Sequence, residues 1–491
     1  MNRRRFLLSS AATLGTAAVA RFAASGFAAE AAPTVLRAGT RTIDVRGKPA
    51  KVFGIRQPDG TAGIFTNVGA RFRVRLENEA GEPTLIHWHG LSPPYQQDGV
   101  PGVSSPPIAP GGSEDYDFPL TFPGTFWMHS HQGMQEQRLM TAPLIVRDAG
   151  DAGVQEVAVM LQDFSFRSPE EIFAGLRKKP APAGTAMGGT ATAGMAMSGG
   201  AKSAMRGMTM PSGSGGMSGM TMDLNDVAYD AFLANDRTLD DPEIVRVEPG
   251  GDILLRVING SSASNFVVDL GRLAGELVAV DGHAVRPVAG SRFPIAIAQR
   301  LDLRLRLPKD RLAHPVFAVL EGERKRTGII LAPSGARVAR LGNMAAKKAA
   351  PLGVKLEQNL SAAAPLAVKP ADRSLRLDLT GDMAAYVWGL NGVTYGNDRP
   401  LVVARGERVE IAMTNRTMMA HPMHLHGHFF AVVAIGGKRF PGAVRDTVLV
   451  PPMTTVVIAF DADNPGRWAF HCHNLYHMEA GMMTTVRYAD S

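Results

Sequence analysis

An alternation of apolar and polar residues with a period of two dominates this chain. It is clearest in RFRVRLEN (71–78), RLDLRLRL (300–307) and SLRLDLTGD (374–382). Because successive side chains of a strand point to opposite faces, this period predicts half-buried β-strands. Few stretches show the longer period of a helix, so we expect an all-β protein built from β-sandwiches.

Two stretches lack this alternation. Residues 180–222 are rich in Gly, Ala, Ser and Met, and residues 341–370 are rich in Ala, Lys and Pro. Such compositions are typical of loops and linkers. The first stretch is therefore interpreted as an insert and the second as a connection between domains.

An internal repeat divides the chain into three units. In each unit an Asn ends a strand-like run, and a Gly follows twelve residues later: Asn78 and Gly90, Asn259 and Gly271, Asn415 and Gly427. Nine and eleven residues after the Asn, the first and third units have His, whereas the middle unit has Val268 and Leu270. The repeat predicts three homologous β-domains at 33–148, 152–340 and 368–491, with the insert 180–222 in the second and a linker at 341–367.

Ten of the thirteen histidines lie in four clusters: HWH (87–89), HSH (129–131), HPMHLH (421–426) and HCHNLYH (471–477). Residues i and i+2 of a strand share a face, so each His-x-His presents two imidazoles side by side. One such pair would be weak evidence of a metal site. Four pairs, two from each outer unit, predict a site for several ions between the first and third domains, larger than a structural zinc site.

The chain has a single cysteine, Cys472, between His471 and His473. Strand geometry turns it away from both histidines, towards a different site. His421, His477 and Met482 are available there, and two His, one Cys and a weak Met form the blue-copper ligand set, which suits one-electron transfer. The alternative, an inert buried thiol near a helical Met, leaves the spacing unexplained. One backbone residue would separate this site from the histidine pairs.

The motifs HWHG, HSH, HPMHLHGH and HCHNLYHMEAGM resemble those of the multicopper oxidases in order and spacing, over nearly the whole mature chain. The resemblance implies three consecutive cupredoxin-like Greek-key domains and four copper ions. It also implies a reaction in which four one-electron oxidations of a substrate at type 1 copper reduce dioxygen to water at a trinuclear cluster. The implied ligands are His421, Cys472, His477 and Met482 for type 1 copper, His87 and His424 for type 2, and His89, His129, His131, His426, His471 and His473 for the type 3 pair.

Oxygen reduction needs proton donors. Asp98, in YQQDGVPG, stands where similar oxidases keep a carboxylate near the type 2 site, and we expect it to donate protons; the alternative is an ordinary Asp-Gly turn. Carboxylates also orient ligand imidazoles, and Asp446, in RDTVLV, is a candidate for holding a type 1 histidine. His283, His314 and His428 are expected to be structural or surface residues.

Nine methionines fall within residues 187–222, among Gly and Ser, where no core is expected to form. Thioethers suit Cu(I), and the composition resembles that of bacterial periplasmic copper-resistance oxidases. The hypothesis is that this segment gathers Cu(I) and that the enzyme oxidises it to the less toxic Cu(II). The alternatives are a laccase-like oxidase of phenols and aromatic amines, a non-catalytic copper-sequestering protein, and a loop whose methionines are incidental or antioxidant. The complete ligand set argues against sequestration alone.

The N-terminus has a basic start, an apolar middle and small residues near its end, which are typical of an export signal. Arg3-Arg4-Arg5-Phe6-Leu7 fits the twin-arginine pattern and predicts export of a folded protein to the periplasm, with cleavage between Ala28 and Ala32. The formal charge of +7 falls to +4 without residues 1–31, which hold four Arg and one Glu. This small charge predicts no nucleic-acid partner. We also expect no stable membrane insertion and a monomer.

Overall fold

The structure, a computed structural model, describes residues 32–178 and 224–489. The predicted export signal (1–31) and the Met-rich segment (187–222) lie outside the described residues. From Thr34 onward the described residues form one compact unit, in which six sheets pair into three consecutive β-sandwiches. The all-β fold class predicted from the alternation is confirmed.

The first sandwich packs the sheet β2-β1-β4-β6 on the sheet β3-β8-β7-β5. Its strands are β1 Thr34–Val45, β2 Lys48–Arg56, β3 Ile64–Asn67, β4 Arg71–Glu79, β5 Ile86–His89, β6 Ser113–Pro119, β7 Gly124–Ser130 and β8 Thr141–Arg147. The predicted alternation is visible in β4, where Phe72, Val74 and Leu76 are buried and the residues between them are partly exposed.

The middle sandwich has the sheets β10-β9-β12-β17-β14-β15 and β11-β19-β18-β13-β16. Its strands are β9 Gln155–Phe164, β10 Ala231–Ala234, β11 Ile244–Arg246, β12 Asp252–Asn259, β13 Phe266–Asp269, β14 Gly275–Val280, β15 His283–Gly290, β16 Arg292–Ile295, β17 Arg300–Arg306, β18 His314–Leu320 and β19 Arg326–Ala332. Strand β12 is buried after its first residue, as expected of an inner strand with both faces covered.

The third sandwich has the sheets β21-β20-β23-β29-β25-β26, with β27 paired to β25, and β22-β31-β30-β24-β28. Its strands are β20 Arg373–Asp382, β21 Val387–Leu390, β22 Leu401–Val403, β23 Arg408–Asn415, β24 His421–Leu425, β25 Phe430–Ile435, β26 Lys438–Arg439, β27 Val444–Arg445, β28 Thr447–Val450, β29 Thr455–Asp461, β30 Arg467–Cys472 and β31 Met483–Tyr488. The first two residues of the HCH motif, His471 and Cys472, therefore end the inner strand β30, and His473 follows it.

The three sandwiches share a common core topology, to which the second and third add further strands. In each, the first strand runs parallel to the strand that carries the repeated Asn: β1 with β4, β9 with β12 and β20 with β23. The last strand runs parallel to a short one: β8 with β3, β19 with β11 and β31 with β22. Parallel neighbours need crossover connections, as in a Greek key. We retain 33–148, 152–340 and 368–491 as the proposed domain limits.

The repeated Asn has the same structural role in each sandwich. Asn78 is buried; its Oδ1 accepts the amide of Ala80 at 3.0 Å and its Nδ2 donates to the carbonyl of Ile108 at 2.8 Å. Asn259 and Asn415 make corresponding bonds, to the amide two residues on and to a carbonyl of a later segment. The Gly twelve residues later has a left-handed φ in all three units, at Gly90, Gly271 and Gly427.

Helices are few among the described residues. They are α1 Pro169–Arg177, α2 Lys355–Asn359 and α3 Leu475–Glu479, with 3₁₀ turns at Tyr95–Gln97, Gln135–Arg138 and Ala149–Asp151. A capping box between Ser168 and Glu171 begins α1. The short helix α2 lies within the predicted linker. No helix in residues 32–178 and 224–489 is long and apolar enough to cross a bilayer.

Candidate metal centres

The single cysteine lies beside two histidines that belong to other secondary-structure elements. His421 begins β24, Cys472 ends the neighbouring antiparallel strand β30, and His477 lies in α3. The Sγ of Cys472 is 3.6 Å from the Nδ1 of His421 and 3.7 Å from the Nδ1 of His477, and these two nitrogens are 3.1 Å apart. Met482 is buried, and its carbonyl accepts the amide of Cys472 at 3.0 Å. We name His421, Cys472, His477 and Met482 the thiolate site.

The outer nitrogens of the two imidazoles are occupied. The Nε2 of His477 lies 2.8 Å from the Oδ2 of Asp226, and the Nε2 of His421 lies 2.8 Å from the Oγ1 of Thr417. An ionised carboxylate only accepts, so a neutral His477 carries its proton on Nε2. The Thr417 hydroxyl donates to Asn415 at 2.8 Å, which leaves it free to accept from His421. Both Nδ1 lone pairs then face one another beside the sulfur, and a soft cation suits this donor set.

Burial keeps the Cys472 thiol and the His421 imidazole uncharged when no metal is bound. It raises the pKa of the Cys472 thiol well above the usual range. It lowers the pKa of His421 well below the usual value, with a further contribution from the neighbouring His477. The thiol is therefore protonated at neutral pH, and a metal ion that binds the sulfur displaces that proton.

A second centre gathers the four His-x-His pairs between the first and third sandwiches. Strands β5 and β7 pair His87 with His129, and strands β24 and β30 pair His424 with His471. All members are buried. We name this the eight-histidine site; it consists of His87, His89, His129, His131, His424, His426, His471 and His473.

Two groups of nitrogens in the eight-histidine site converge closely. The Nε2 atoms of His87 and His424 are 3.4 Å apart. The Nε2 of His471 lies 3.3 Å from that of His131 and 3.0 Å from that of His426. The Nδ1 atoms of His87, His424 and His471 face backbone carbonyls at 2.8–3.0 Å, so their protons lie on the outer side and the Nε2 lone pairs face inward.

A third group is identified by atoms without hydrogen-bond partners. The Nδ1 of His89, the Nε2 of His129 and the Nε2 of His473 are buried and unpartnered in the described part of the chain. The three rings lie 4.9–5.6 Å apart, centroid to centroid. Buried polar atoms are rarely left unsatisfied, so three of them on adjacent rings fit a bound metal ion.

Burial and mutual repulsion keep seven of these imidazoles neutral: His89, His129, His131, His424, His426, His471 and His473. Desolvation, then neighbouring histidines, lowers the pKa of most of them well below the usual value, and burial lowers that of His471 to about 4. Neutral imidazoles keep the lone pairs that metal ions bind. The described geometry can thus hold three ions here and one at the thiolate site.

Asp98, the proton donor predicted from the sequence, is fully buried beside the eight-histidine site. Its Oδ2 lies 2.9 Å from the Nδ1 of His426, and its Oδ1 lies 3.3 Å from the Nδ1 of His87. It therefore contacts two histidines that belong to different nitrogen groups.

A second carboxylate, Glu136, reaches the site from the other side. It lies in the 3₁₀ turn that follows the HSH motif, and its Oε2 is 2.9 Å from the Nδ1 of His129. Its Oε1 is 3.9 Å from the Nδ1 of His473. Burial, then the nearby Asp163, raises the pKa of Glu136 well above its usual value. The turn orients two members of the unpartnered group.

The prediction that Asp446 holds a type 1 histidine was wrong. Its Oδ1 lies 3.0 Å from the Nε2 of His89 and 3.6 Å from the Nδ1 of His424, both in the eight-histidine site. Arg300, from the middle sandwich, donates to both of its oxygens. The reason is register: β28, which follows Asp446, runs antiparallel to β24, so its start lies beside His424 and its end beside His421.

The remaining histidines lie outside both sites, as expected. His428 is buried, with its Nε2 2.7 Å from the hydroxyl of Tyr488. His283 packs against the rings of Phe122 and Phe429. His314 pairs with a nearby aspartate.

Sequence reasoning missed Asp226, Thr417, Glu136 and Arg300. Glu136 could have been found, because it follows the HSH motif by five residues and a carboxylate commonly orients a ligand histidine. Asp226 and Arg300 belong to the middle unit, which lacks the His-x-His pattern, and no local signal links them to ligands in other units.

Comparison with known proteins agrees with this geometry. Residues 40–151, 198–330 and 369–491 each match the multicopper oxidase family. The chain is 30% identical to multicopper oxidase MmcO of Mycobacterium tuberculosis, over 87% of this chain and 81% of that one. It is 29% identical to a copper resistance protein A homolog of Pseudomonas syringae pv. tomato, over 85% and 86% of the two chains.

The fold also matches a solved structure. Fet3p, described as a multicopper oxidase that functions in iron import, superposes with a TM-score of 0.74 at 20% identity, covering 93% of this chain and 90% of that one. At that identity the match concerns the fold alone. The family matches and the curated relatives show that the chain belongs to the multicopper oxidases, oxidoreductases that bind four copper ions: one type 1, one type 2 and a type 3 pair.

Proposed function

We propose that the thiolate site holds type 1 copper and that the eight-histidine site holds the other three ions. Copper would supply one-electron oxidation of substrate at the first and reduction of dioxygen to water at the second. The three nitrogen groups suggest how the ligands divide: His87 and His424 for type 2, then His131, His426 and His471 for one type 3 ion, and His89, His129 and His473 for the other.

We further propose that the electron donor is Cu(I), oxidised to Cu(II) in copper tolerance. One observation carries this proposal. On the N-terminal side of the nine methionines, the ring of Phe173 in α1 lies 6.3 Å from that of Tyr476, the neighbour of His477. On the C-terminal side, Asp226 contacts His477. Residues that flank the methionines on both sides therefore lie beside the thiolate site.

Two further facts favour Cu(I). Thioethers are soft ligands that suit Cu(I), and several relatives carry the name copper resistance protein A. A laccase-like oxidase is the rival. His477 is fully buried and Asp226 covers its outer nitrogen, so its ring offers no exposed surface for a phenol to contact. This favours a metal-ion donor over a phenol.

The test is oxygen consumption by the fully copper-loaded enzyme, with Cu(I) and then a simple phenol as donor. The variant replaces all nine methionines of 187–222 by leucine, which keeps the length and apolar character and removes every thioether. Oxidation of Cu(I) should fall at least about tenfold, a loss of about 1.4 kcal/mol of transition-state stabilisation. Phenol oxidation should be unchanged.

Deletion of residues 187–222 is the companion variant. Phenol oxidation should then persist, or rise if phenols reach the thiolate site more easily, while Cu(I) oxidation falls as in the leucine variant. Copper content and the visible absorption of the thiolate–copper bond serve as controls for an intact enzyme. Undiminished Cu(I) oxidation in both variants would refute recruitment by the methionines, and phenol turnover well above Cu(I) turnover would favour the laccase-like reading.

We propose that Asp98 supplies protons during oxygen reduction. Support comes from its burial and its contacts with His426 and His87. Asp98→Asn keeps the size and removes the acid, so oxygen consumption should fall about 10²-fold or more at unchanged copper content. Asp98→Glu is the matched control and should retain more activity. Normal oxygen reduction by the Asn variant would exclude this role.

We also propose export to the periplasm by the twin-arginine route, on the basis of Arg3-Arg4-Arg5-Phe6-Leu7. Replacing Arg4 and Arg5 by lysine should retain the protein in the cytoplasm, as cell fractionation would show. A monomer is proposed as well, because all twelve proposed ligands belong to one chain, and sedimentation of the loaded protein tests it.

A further inference from the structure

The two histidines of the thiolate site differ in what holds their outer nitrogens. His421 faces the neutral hydroxyl of Thr417, whereas His477 faces the carboxylate of Asp226, each at 2.8 Å. The same Oδ2 of Asp226 also accepts the hydroxyl of Tyr386 at 2.6 Å. One carboxylate oxygen is therefore shared between the imidazole and a phenol group.

The backbone conformation at Tyr386 positions its hydroxyl for the contact with Asp226. Tyr386 has a φ of 48°, in the left-handed region that aromatic residues seldom adopt, and it directly precedes β21. Two residues later, the indole of Trp388 packs on His477, with ring centroids 4.2 Å apart. Three consecutive residues thus place the hydroxyl of Tyr386 against Asp226 and the indole of Trp388 against His477.

The buried surroundings of Asp226 strengthen the electrostatic effect of its negative charge on neighbouring groups. Asp226, Tyr386, Trp388 and His477 are all buried, and the effective dielectric constant of such an environment is low. A carboxylate that accepts the Nε2 proton of a ligand histidine makes the other nitrogen more basic. A second hydrogen bond to the same oxygen withdraws part of its negative charge and weakens that effect.

We propose that Asp226, from the middle unit, and Tyr386, from the third, form a tuning pair that sets the reduction potential of the type 1 centre. Asp226 strengthens donation from His477, favours the more highly charged oxidised ion and lowers the potential. Tyr386 moderates Asp226 and limits that decrease. Both are positioning residues, because neither supplies a ligand atom, and the proposal depends on the proposed role of His477 as a type 1 ligand.

The test uses two variants for which the tuning pair predicts opposite shifts. Asp226→Asn retains an oxygen that can accept both hydrogen bonds but removes the charge, so the potential of the type 1 centre should rise. Tyr386→Phe retains the ring and removes one donor, so the potential should fall. The measurement is a spectroelectrochemical titration of the fully copper-loaded protein, followed at the visible band of the thiolate–copper bond.

Tyr229→Phe is the matched control. This buried tyrosine donates to Gln137 at 2.7 Å rather than to Asp226, so its loss should leave the potential unchanged. Shifts in the same direction for both test variants, or no shift, would overturn the tuning pair. If Asp226→Asn does not load copper, Tyr386→Phe decides alone, and the absence of a downward shift overturns it. A wild-type protein without the visible band would instead refute the type 1 assignment itself.

Discussion

The middle sandwich and its two neighbours share a frame, which consists of the repeated Asn and Gly of each unit. They differ in whether the strand after the Asn carries histidines that could bind metal. Asn259 and Gly271 repeat the hydrogen bonds and the left-handed turn of the outer units, yet Val268 and Leu270 occupy the positions of the His-x-His pair. Both lie in an apolar core. The frame therefore determines the fold, and the residues at two strand positions determine whether a unit carries ligands.

The middle sandwich nevertheless contributes to both sites. Its Arg300 binds Asp446 beside the eight-histidine site, and its Asp226 holds His477 of the thiolate site. The outer units thus supply the nitrogen and sulfur donors, and the middle unit supplies charged groups that orient them. Substitutions in the outer units and in the middle unit test this division of roles.

Removing the sulfur donor should have the largest effect. Cys472→Ser should abolish the visible thiolate–copper band and reduce oxygen consumption by about three orders of magnitude or more, because the chain has no other thiol and the thioether of Met482 is only a weak ligand. The eight-histidine site takes no ligand from Cys472, so about three of the four ions should remain. Metal analysis, absorption and oxygen consumption measure these outcomes. A persistent band would contradict the thiolate assignment.

Acid should unfold the metal-free protein, because neutral imidazoles are concentrated where the outer units meet. Their folded pKa values lie well below the ordinary value of 6.5, so the unfolded chain binds more protons and stability falls as pH drops below 6.5. At pH 5 each such histidine costs about 2 kcal/mol.

Thermal unfolding at pH 7 and pH 5, with and without copper, checks this expectation. The midpoint of the metal-free protein should drop steeply between the two values, and the copper-loaded protein should resist, because bound ions exclude protons from the nitrogens. An equal midpoint for the metal-free protein at both pH values would show that the buried imidazoles do not control its stability.

Giving the middle unit the missing pair should not give it a metal site. Val268→His with Leu270→His places two imidazoles in an apolar core without partners, so the free energy of unfolding should fall by about 3–5 kcal/mol and copper content should stay at four ions per chain. Denaturant unfolding and metal analysis measure both. Val268→Ile with Leu270→Met is the apolar control. A fifth bound ion would contradict the expectation that two histidines alone do not give the middle unit a metal site.

The smallest effect should come from the shared frame. Replacing Asn78, Asn259 or Asn415 by Ala removes a buried amide that joins two segments, and each change should lower the free energy of unfolding by about 1–3 kcal/mol. Similar losses in all three variants would support one common role. A copper deficit in folded Asn259→Ala would instead mean that the middle frame participates directly in loading.

Local sequence patterns predicted much of this molecule because strand geometry is local. The period of two identified β4, and the repeat spacing matched the buried Asn and the left-handed Gly in every unit. The same geometry separated Cys472 from its flanking histidines. Asp446 shows the limit of this reasoning, since its partner depended on the register between β24 and β28.

The sequence by itself determined the all-β fold, the threefold repeat and the set of candidate ligands, because each is encoded within about a dozen residues. Only the tertiary structure decided which groups hold the outer nitrogens of those ligands. Asp226 and His477 are 251 residues apart, and Arg300 reaches Asp446 across 146. Such contacts arise from the packing of one sandwich on another, and no short-range pattern in a single chain records them.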